Sequence, residues 1–307
     1  MPKVADKYLI VIAGPTAVGK TDLCLRLAEE LQTVIVSADS RQVFRELTIG
    51  TAKPTEAELA RVPHYFINSH TIAEPYSAGD FERDALVLLD ELFRERDVVL
   101  MTGGSGLYIK AVCEGLDDLP QPLPGLREEL TLRLQEEGLE VLQVDALHVD
   151  PEFAATPEIQ NPQRVVRALE VFYTTGQPIS SFKKKQVAQR PFRQVLIALD
   201  RDRDELYQRI NTRMDTMLAA GLVEEARLVA QYRHHHALQT VGYKEVYGYL
   251  DGEYGEEEMV RLLKQNSRRY AKRQLTWFRH QGEFAWFQAE DYHGVLSHIQ
   301  SSLNQLI

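Results

Sequence analysis

Only two of the 307 residues are cysteine, Cys24 and Cys113. They are too few and too far apart for a disulfide framework or a thiolate metal site, and they read as small core residues in a reducing cytoplasm. No apolar run approaches membrane-spanning length, and Met1–Lys7 leads into the first apolar stretch without a signal peptide, so a membrane is not expected as a partner. Positive charge is not in excess either: the formal net charge is −10, which argues mildly against nucleic acid as a partner while leaving local basic patches open. Internal repeats and low-complexity tails are missing. What remains, 44% hydrophobic and 26% charged, is ordinary for a globular chain long enough for two units.

One stretch organises the rest. The apolar run Leu9–Ala13 enters Gly14-Pro15-Thr16-Ala17-Val18-Gly19-Lys20-Thr21, and a helix follows. This is G-x-x-x-x-G-K-T, the phosphate-cradling P-loop. Its glycines let backbone N–H groups point at an anion, Lys20 adds a full charge, and the Thr21 hydroxyl can reach Mg²⁺ or a phosphate oxygen at the helix N-terminus. A di- or triphosphate is the expected ligand.

Leu23, Leu27 and Leu31 give that helix an inward stripe, and Val34–Val36 is a second strand ending at Ser37-Ala38-Asp39-Ser40-Arg41-Gln42. Two apolar strands around a helix make a βαβ unit and a parallel sheet, whose ligands sit at the carboxyl ends of the strands. Asp39 is therefore open between a site carboxylate and a cap for the following turn. A third strand is expected within 63–68, a helix over 76–96, and a buried strand over 97–102 that runs into Gly103-Gly104-Ser105-Gly106. That strand lacks the terminal acid with which many P-loop NTPases hold Mg²⁺, and no Asn-Lys-x-Asp guanine signature occurs. These absences weaken the GTPase and ATPase readings. They leave a P-loop kinase of a small metabolite, a nucleotide-gated RNA-binding protein, or an enzyme that uses a non-nucleotide diphosphate.

A proline-rich connector at 116–125 opens what reads as a helical insertion over 117–190, with a basic stretch at Lys183-Lys184-Lys185 and Arg190. Strand patterning resumes at 195–200, so the α/β core is expected to comprise 1–116 and 191–307. In the helix expected over 203–220, Arg209 and Arg213 are four apart and close together. His234-His235-His236 lacks zinc-ligand spacing and reads as exposed loop. The helix 256–280 carries Arg261, Lys264, Arg268, Arg269, Lys272, Arg273 and Arg279 with no acid after Glu258. These gather opposite Met259, Leu263, Tyr270, Trp277 and Phe278, which is a solvated face or a polyanion-binding one.

Taken together, GPTAVGKT (14–21), SADSRQVF (37–44), IGTAKP (49–54), GGSGLY (103–108), NPQRVVRALEV (161–171) and TVGYKE (240–245) resemble the tRNA dimethylallyltransferase family, bacterial type, over most of the chain. Ser105 stands where family members often have threonine and keeps the hydroxyl. The resemblance implies a P-loop NTPase-like parallel sheet flanked by helices with a helical insertion domain that contacts tRNA. It implies dimethylallyl diphosphate as donor, Mg²⁺ as cofactor through Thr21, and the tRNA anticodon stem-loop as partner of a cytoplasmic monomer. Asp39 becomes the base, with Lys20, Thr21, Ser105 and Arg213 as further catalytic groups. The anticodon loop falls to Asp39, Ser40, Arg41, Gln42, Ser105, Gln163, Arg164, Val165, Val166, Arg167, Thr240, Val241, Gly242, Tyr243 and Lys244.

Overall fold

A computed structural model describes residues 6–183 and 187–304. The chain divides into two units, one comprising Met1–Glu114 with Gln189–Ile307 and the other Gly115–Ala188. The break precedes the expected boundaries because the chain reaches the first unit before residue 191. There Arg190, expected within a basic stretch, donates to Glu82 (2.6 Å) and to the Ala111 carbonyl (2.7 Å). Lys184 and Lys185 lie outside the described residues.

In the first unit the order is β1 (Tyr8–Ala13), α1 (Lys20–Glu30), β2 (Ile35–Ser37), α2 (Glu56–Arg61), β3 (His64–Tyr65), α3 (Ala78–Glu95), β4 (Val98–Gly103) and α4 (Gly106–Glu114). Six strands form one sheet, ordered β3-β2-β4-β1-β5-β6, where β5 is Arg193–Asp200 and β6 is Ala285–Gln288. Every pairing is parallel. The apolar runs explain this, because a strand covered by helices on both faces has no polar side: all six residues of β1 are buried. Register places Ala13 beside Gly103 and beside Ala198, so the P-loop and the 103–106 loop leave the sheet at the same edge.

The second unit holds α5 (Leu126–Glu137), α6 (Leu139–Val149), α7 (Pro151–Ala154) and α8 (Pro162–Thr175). These pack on their own core of Leu130, Leu142, Phe153, Val165, Val166 and Leu169. Asn161 caps α8 through its side chain, and Pro162 occupies the first turn, where a missing N–H costs nothing. Back in the first unit, α9 (Arg203–Ala219), α10 (Leu222–Leu228), α11 (Tyr243–Leu250), α12 (Glu256–His280) and α13 (Tyr292–Asn304) complete the chain. Met214, Leu222, Tyr243, Val246, Met259 and Leu263 join Phe44 and Leu47 in a second core that carries the 44–52 loop.

Candidate active site

The P-loop backbone bends as the glycines require. Gly19 sits at φ +119°, open to glycine and strained for other residues. Ala17 at φ +64° adopts the left-handed region without that freedom, a local strain of about 1 kcal/mol stored at the loop. Lys20, the first residue of α1, turns back so that Nζ donates to the carbonyls of Gly14 (2.9 Å) and Pro15 (2.8 Å). Burial and the neighbouring Arg213 lower its pKa to about 8, against an opposing pull from Asp39.

Helix α9 brings two arginines to the same loop. Arg209 Nε donates to the Ala17 carbonyl (2.8 Å), and Arg213 Nη1 lies 3.4 Å from Thr16 Oγ1. Burial first, then Arg209, pushes the Arg213 guanidinium below its usual range. Among the described residues neither arginine is ion-paired with a carboxylate. Three mutually repelling cations gathered at one loop form a site complementary to a multiply charged anion.

These groups line a cavity of about 410 Å³ that also contains Thr16, Thr21, Asp39, Ser40, Arg41, Gln42, Tyr270 and Gln274. Asp39 follows β2 at the carboxyl edge of the sheet. Its Oδ1 accepts the N–H groups of Arg41 (2.8 Å) and Gln42 (3.2 Å). The two readings left open for Asp39 therefore coexist: it caps the 40–43 turn and it faces the cavity. Arg41 donates to the Ser40 (3.0 Å) and His236 (3.1 Å) carbonyls, while its buried Nε has no partner among the described residues. Tyr270 closes the wall from α12, its phenol pushed up to about 12 by burial and by the Asp39 charge.

Two residues that the motifs did not mark hold this arrangement. Gln274 of α12 accepts the Thr16 N–H (2.9 Å) and donates to the Gly104 carbonyl (2.9 Å), joining the P-loop to the 103–106 loop. Arg209, marked in the sequence only as a neighbour of Arg213, is the second arginine of the cradle. No local pattern reveals either, because each acts across more than 150 residues of sequence.

The other expected residues divide. Thr240, Val241 and Gly242 line the cavity with Thr21 and Arg213. Ser105 sits behind the 39–42 turn, its Oγ accepting the Ser40 N–H (3.0 Å), so it positions the turn and does not form the cavity wall. Tyr243 is fully buried and donates its hydroxyl to Glu225 Oε1 (2.6 Å). Val165 and Val166 are buried in the core of the second unit. The side chains of these three do packing work, since buried groups have no surface to offer RNA. Arg167 is committed to Glu170 (3.3 Å) and the Pro120 carbonyl (3.0 Å), and Arg164 pairs with Glu158. Gln163 and Lys244 are exposed. His234, His235 and His236 are exposed as expected, and among the described residues no cluster of three or more His, Cys, Asp or Glu could hold a metal.

The basic face of α12 is less uniform than its sequence suggests. Arg261 pairs with Glu258 (2.6 Å), Lys264 with Asp215 (2.7 Å) and Arg279 with Asp200 (2.9 Å), and Arg268 donates to Asn211 (2.6 Å). Lys272 and Arg273 are exposed, Arg273 over the Tyr270 ring at 5.7 Å. Trp277 and Tyr270 are half-buried, while Ser267, Ala271 and Gln274 share the buried face with Met259, Leu263 and Phe278.

Comparison with known proteins agrees with this geometry. A family model described as IPP transferase matches residues 42–281. A protein of Cytophaga hutchinsonii named tRNA dimethylallyltransferase is 52% identical over 98% of this chain and 99% of its own. One of Bacteroides thetaiotaomicron, named tRNA dimethylallyltransferase 1, is 47% identical over 95% of each. The crystal structure of a full-length tRNA isopentenylpyrophosphate transferase from Bacillus halodurans superposes with a TM-score of 0.72 at 37% identity, covering 97% of both chains. A eukaryotic dimethylallyltransferase acting on tRNA gives 0.77 at 25% identity, covering 96% of this chain and 77% of that one. With the P-loop, the parallel sheet and relatives this similar over nearly the whole length, the chain belongs to the tRNA dimethylallyltransferase family.

Proposed function

We propose that the chain transfers the dimethylallyl group of dimethylallyl diphosphate to the exocyclic amine of the adenosine 3′ of a tRNA anticodon. The observation that carries this reading is one cavity, lined by a three-cation phosphate cradle, into which Asp39 faces from the end of β2; Asp22 and Glu58 also line it, from α1 and α2. The strand beside the P-loop ends in Gly103-Gly104-Ser105 and supplies no acid, which disfavours a small-metabolite kinase, as do the names of the relatives.

The amine nitrogen bonds to the allylic carbon as the carbon–oxygen bond to diphosphate breaks. The electron pair leaves on the diphosphate oxygen, and the amine proton passes to the Asp39 carboxylate. An adenine amine is a weak nucleophile, so proton removal during attack matters. Lys20, Arg209, Arg213 and the P-loop amides stabilise the charge that develops on the leaving group. Mg²⁺ fits this donor set. It binds through one or two protein oxygens plus phosphates and waters, and the exposed Thr21 lines the cavity at the start of α1. Bound there, Mg²⁺ would neutralise diphosphate charge. The adenosine must leave its stack to reach Asp39, as bases of single-stranded loops can. Arg41 Nε, without a partner among the described residues, offers it or its phosphate a donor. Exposed Lys244, Lys272 and Arg273 of the first unit, and separately Gln163 of the insertion, are our candidates for wider contacts with tRNA. A cytoplasmic monomer suits this role, and among the described residues no helix is long and apolar enough to cross a membrane.

Asp39→Asn tests the reading. Asparagine keeps the oxygen that accepts from Arg41 and Gln42, so the turn and the melting temperature should survive. Single-turnover prenyl transfer should fall about 10²–10⁴-fold, with affinity for both substrates nearly unchanged. Turnover within about threefold of wild type would rule out Asp39 as the base, given the 10²-fold minimum expected of one.

A further inference from the structure

Glu225 of α10 is a buried carboxylate that the mechanism above does not use. Its Oε2 accepts the N–H groups of Thr48 (2.8 Å) and Ile49 (2.7 Å), and its Oε1 accepts the Gly50 N–H (2.8 Å) and the Tyr243 hydroxyl (2.6 Å). Three successive amides converge on it as they would on a bound anion. Gly50 is pinned from the other side too: a Cβ there would lie 2.5 Å from the Tyr243 ring. The turn fixed in this way presents the carbonyls of Thr51 (3.1 Å) and Ala52 (3.2 Å) to Gln42 Nε2. Gln42 Oε1 in turn accepts from Ser37 Oγ (3.2 Å) at the end of β2. The backbone N–H of Gln42 is one of the two donors that hold Asp39 Oδ1.

We propose that Glu225 is a positioning residue for catalysis: through the 48–52 turn and the Gln42 side chain it fixes the direction in which Asp39 presents its carboxylate. This rests on the reading of Asp39 as the base. The chemistry makes a carboxylate necessary at 225. An amide has one acceptor oxygen, and its NH₂ would face two of the four converging donors, so Glu225→Gln must let the turn shift. Displacing a reacting group by about 1 Å costs up to 10²-fold, and the path leads to Asp39, so the loss should appear in kcat.

The experiment is a cycle of Glu225→Gln, Asp39→Asn and the double variant in single-turnover transfer, with hydrogen exchange of wild type and Glu225→Gln followed by mass spectrometry. We expect kcat of Glu225→Gln to fall about 10–100-fold, KM for dimethylallyl diphosphate to stay within about threefold, and the double variant to match Asp39→Asn. Exchange should quicken over both 47–52 and 39–43. An unchanged kcat, independent multiplying losses in the double variant, or faster exchange confined to 47–52 would each overturn the proposal. If Asp39→Asn alone keeps wild-type turnover, the base reading itself has failed and this inference falls with it. A dead Asp39→Asn with multiplying losses removes only the role of Glu225. Should Glu225→Gln not fold, Gln42→Met cuts the same path away from the buried carboxylate. It must then show the same non-additivity with Asp39→Asn, and additive losses overturn the proposal.

Discussion

With Lys20 in the phosphate cradle as proposed, diphosphate binding should weaken as pH rises through the pKa of this lysine. Burial and Arg213 lower the lysine from 10.5 to about 8 in the free protein. Only the charged form contributes its full attraction to an anion. At pH 7 the side chain is about nine-tenths protonated and at pH 9 about one-tenth, so affinity should fall about tenfold between them and about tenfold per further unit. The decline ends where the lysine of the bound state, raised by the anion beside it, also loses its proton. Folding runs the other way: the unfolded lysine keeps its proton to 10.5, so this group adds stability as pH rises from 8 towards 10.5, and weaker binding there is not unfolding. Calorimetric titration of a non-reactive dimethylallyl diphosphate analogue between pH 7 and 9.5 measures the effect. Lys20→Arg is the control, since a guanidinium stays charged throughout. Lys53, which burial also lowers to about 8, is present in both proteins and cancels from the comparison. A flat profile in the wild type, or the same decline in Lys20→Arg, would refute the assignment of the titrating cation.

Gln274→Leu leaves the Thr16 N–H and the Gly104 carbonyl without their partner. At about 1–3 kcal/mol for each buried group left unsatisfied, thermal denaturation should show a loss of several degrees in Tm, and donor KM should rise as the P-loop loosens. Lys272→Glu with Arg273→Glu should weaken tRNA binding and reduce the slope of log affinity against log salt by about 0.7–0.9 for each phosphate that is no longer neutralised. Arg261→Glu, whose partner in the structure is Glu258, should change that slope less, and equal slopes for all three proteins would make α12 a solvated face.

Strand runs that are apolar throughout were legible because burial on both faces leaves a continuous signal, as in Tyr8–Ala13 and Val98–Gly103. Edge elements were not. The apolar run at β6, Phe284-Ala285-Trp286-Phe287, is too short to tell a strand from other buried segments, and β3 shrinks from the expected 63–68 to His64–Tyr65. Short helices such as α2 and α10, of six and seven residues, hold too few turns for periodicity to show. The insertion was legible as helices but not in its electrostatics. Its described basic residues, Arg127, Arg133, Arg164, Arg167 and Lys183, are each paired with a carboxylate, so its sequence overstates the positive charge available to RNA.

The site shows the same division for a different reason. The loop of the proposed phosphate cradle is contiguous, because one loop must wrap one anion, and the motif therefore spelled it out, whereas the two cradle arginines come from α9. The groups that brace the site are scattered: Gln274 meets Thr16, Arg209 meets Ala17, and Glu225 meets Thr48 across gaps of 258, 192 and 177 residues. Motif reading also blurred contact with support. In Thr240-Val241-Gly242-Tyr243-Lys244-Glu245 the first three residues line the cavity, whereas Tyr243 binds Glu225, and Glu245 accepts the Gly242 N–H (2.7 Å) and the Asn266 amide (2.8 Å). Tyr243 and Glu245 are buried polar residues whose partners are protein, and desolvating them without those partners would cost more than the fold could offset. A polar residue in a motif that binds a ligand must keep surface for it, while one that supports the site must lose that surface. Burial, which sequence does not state, separates the two.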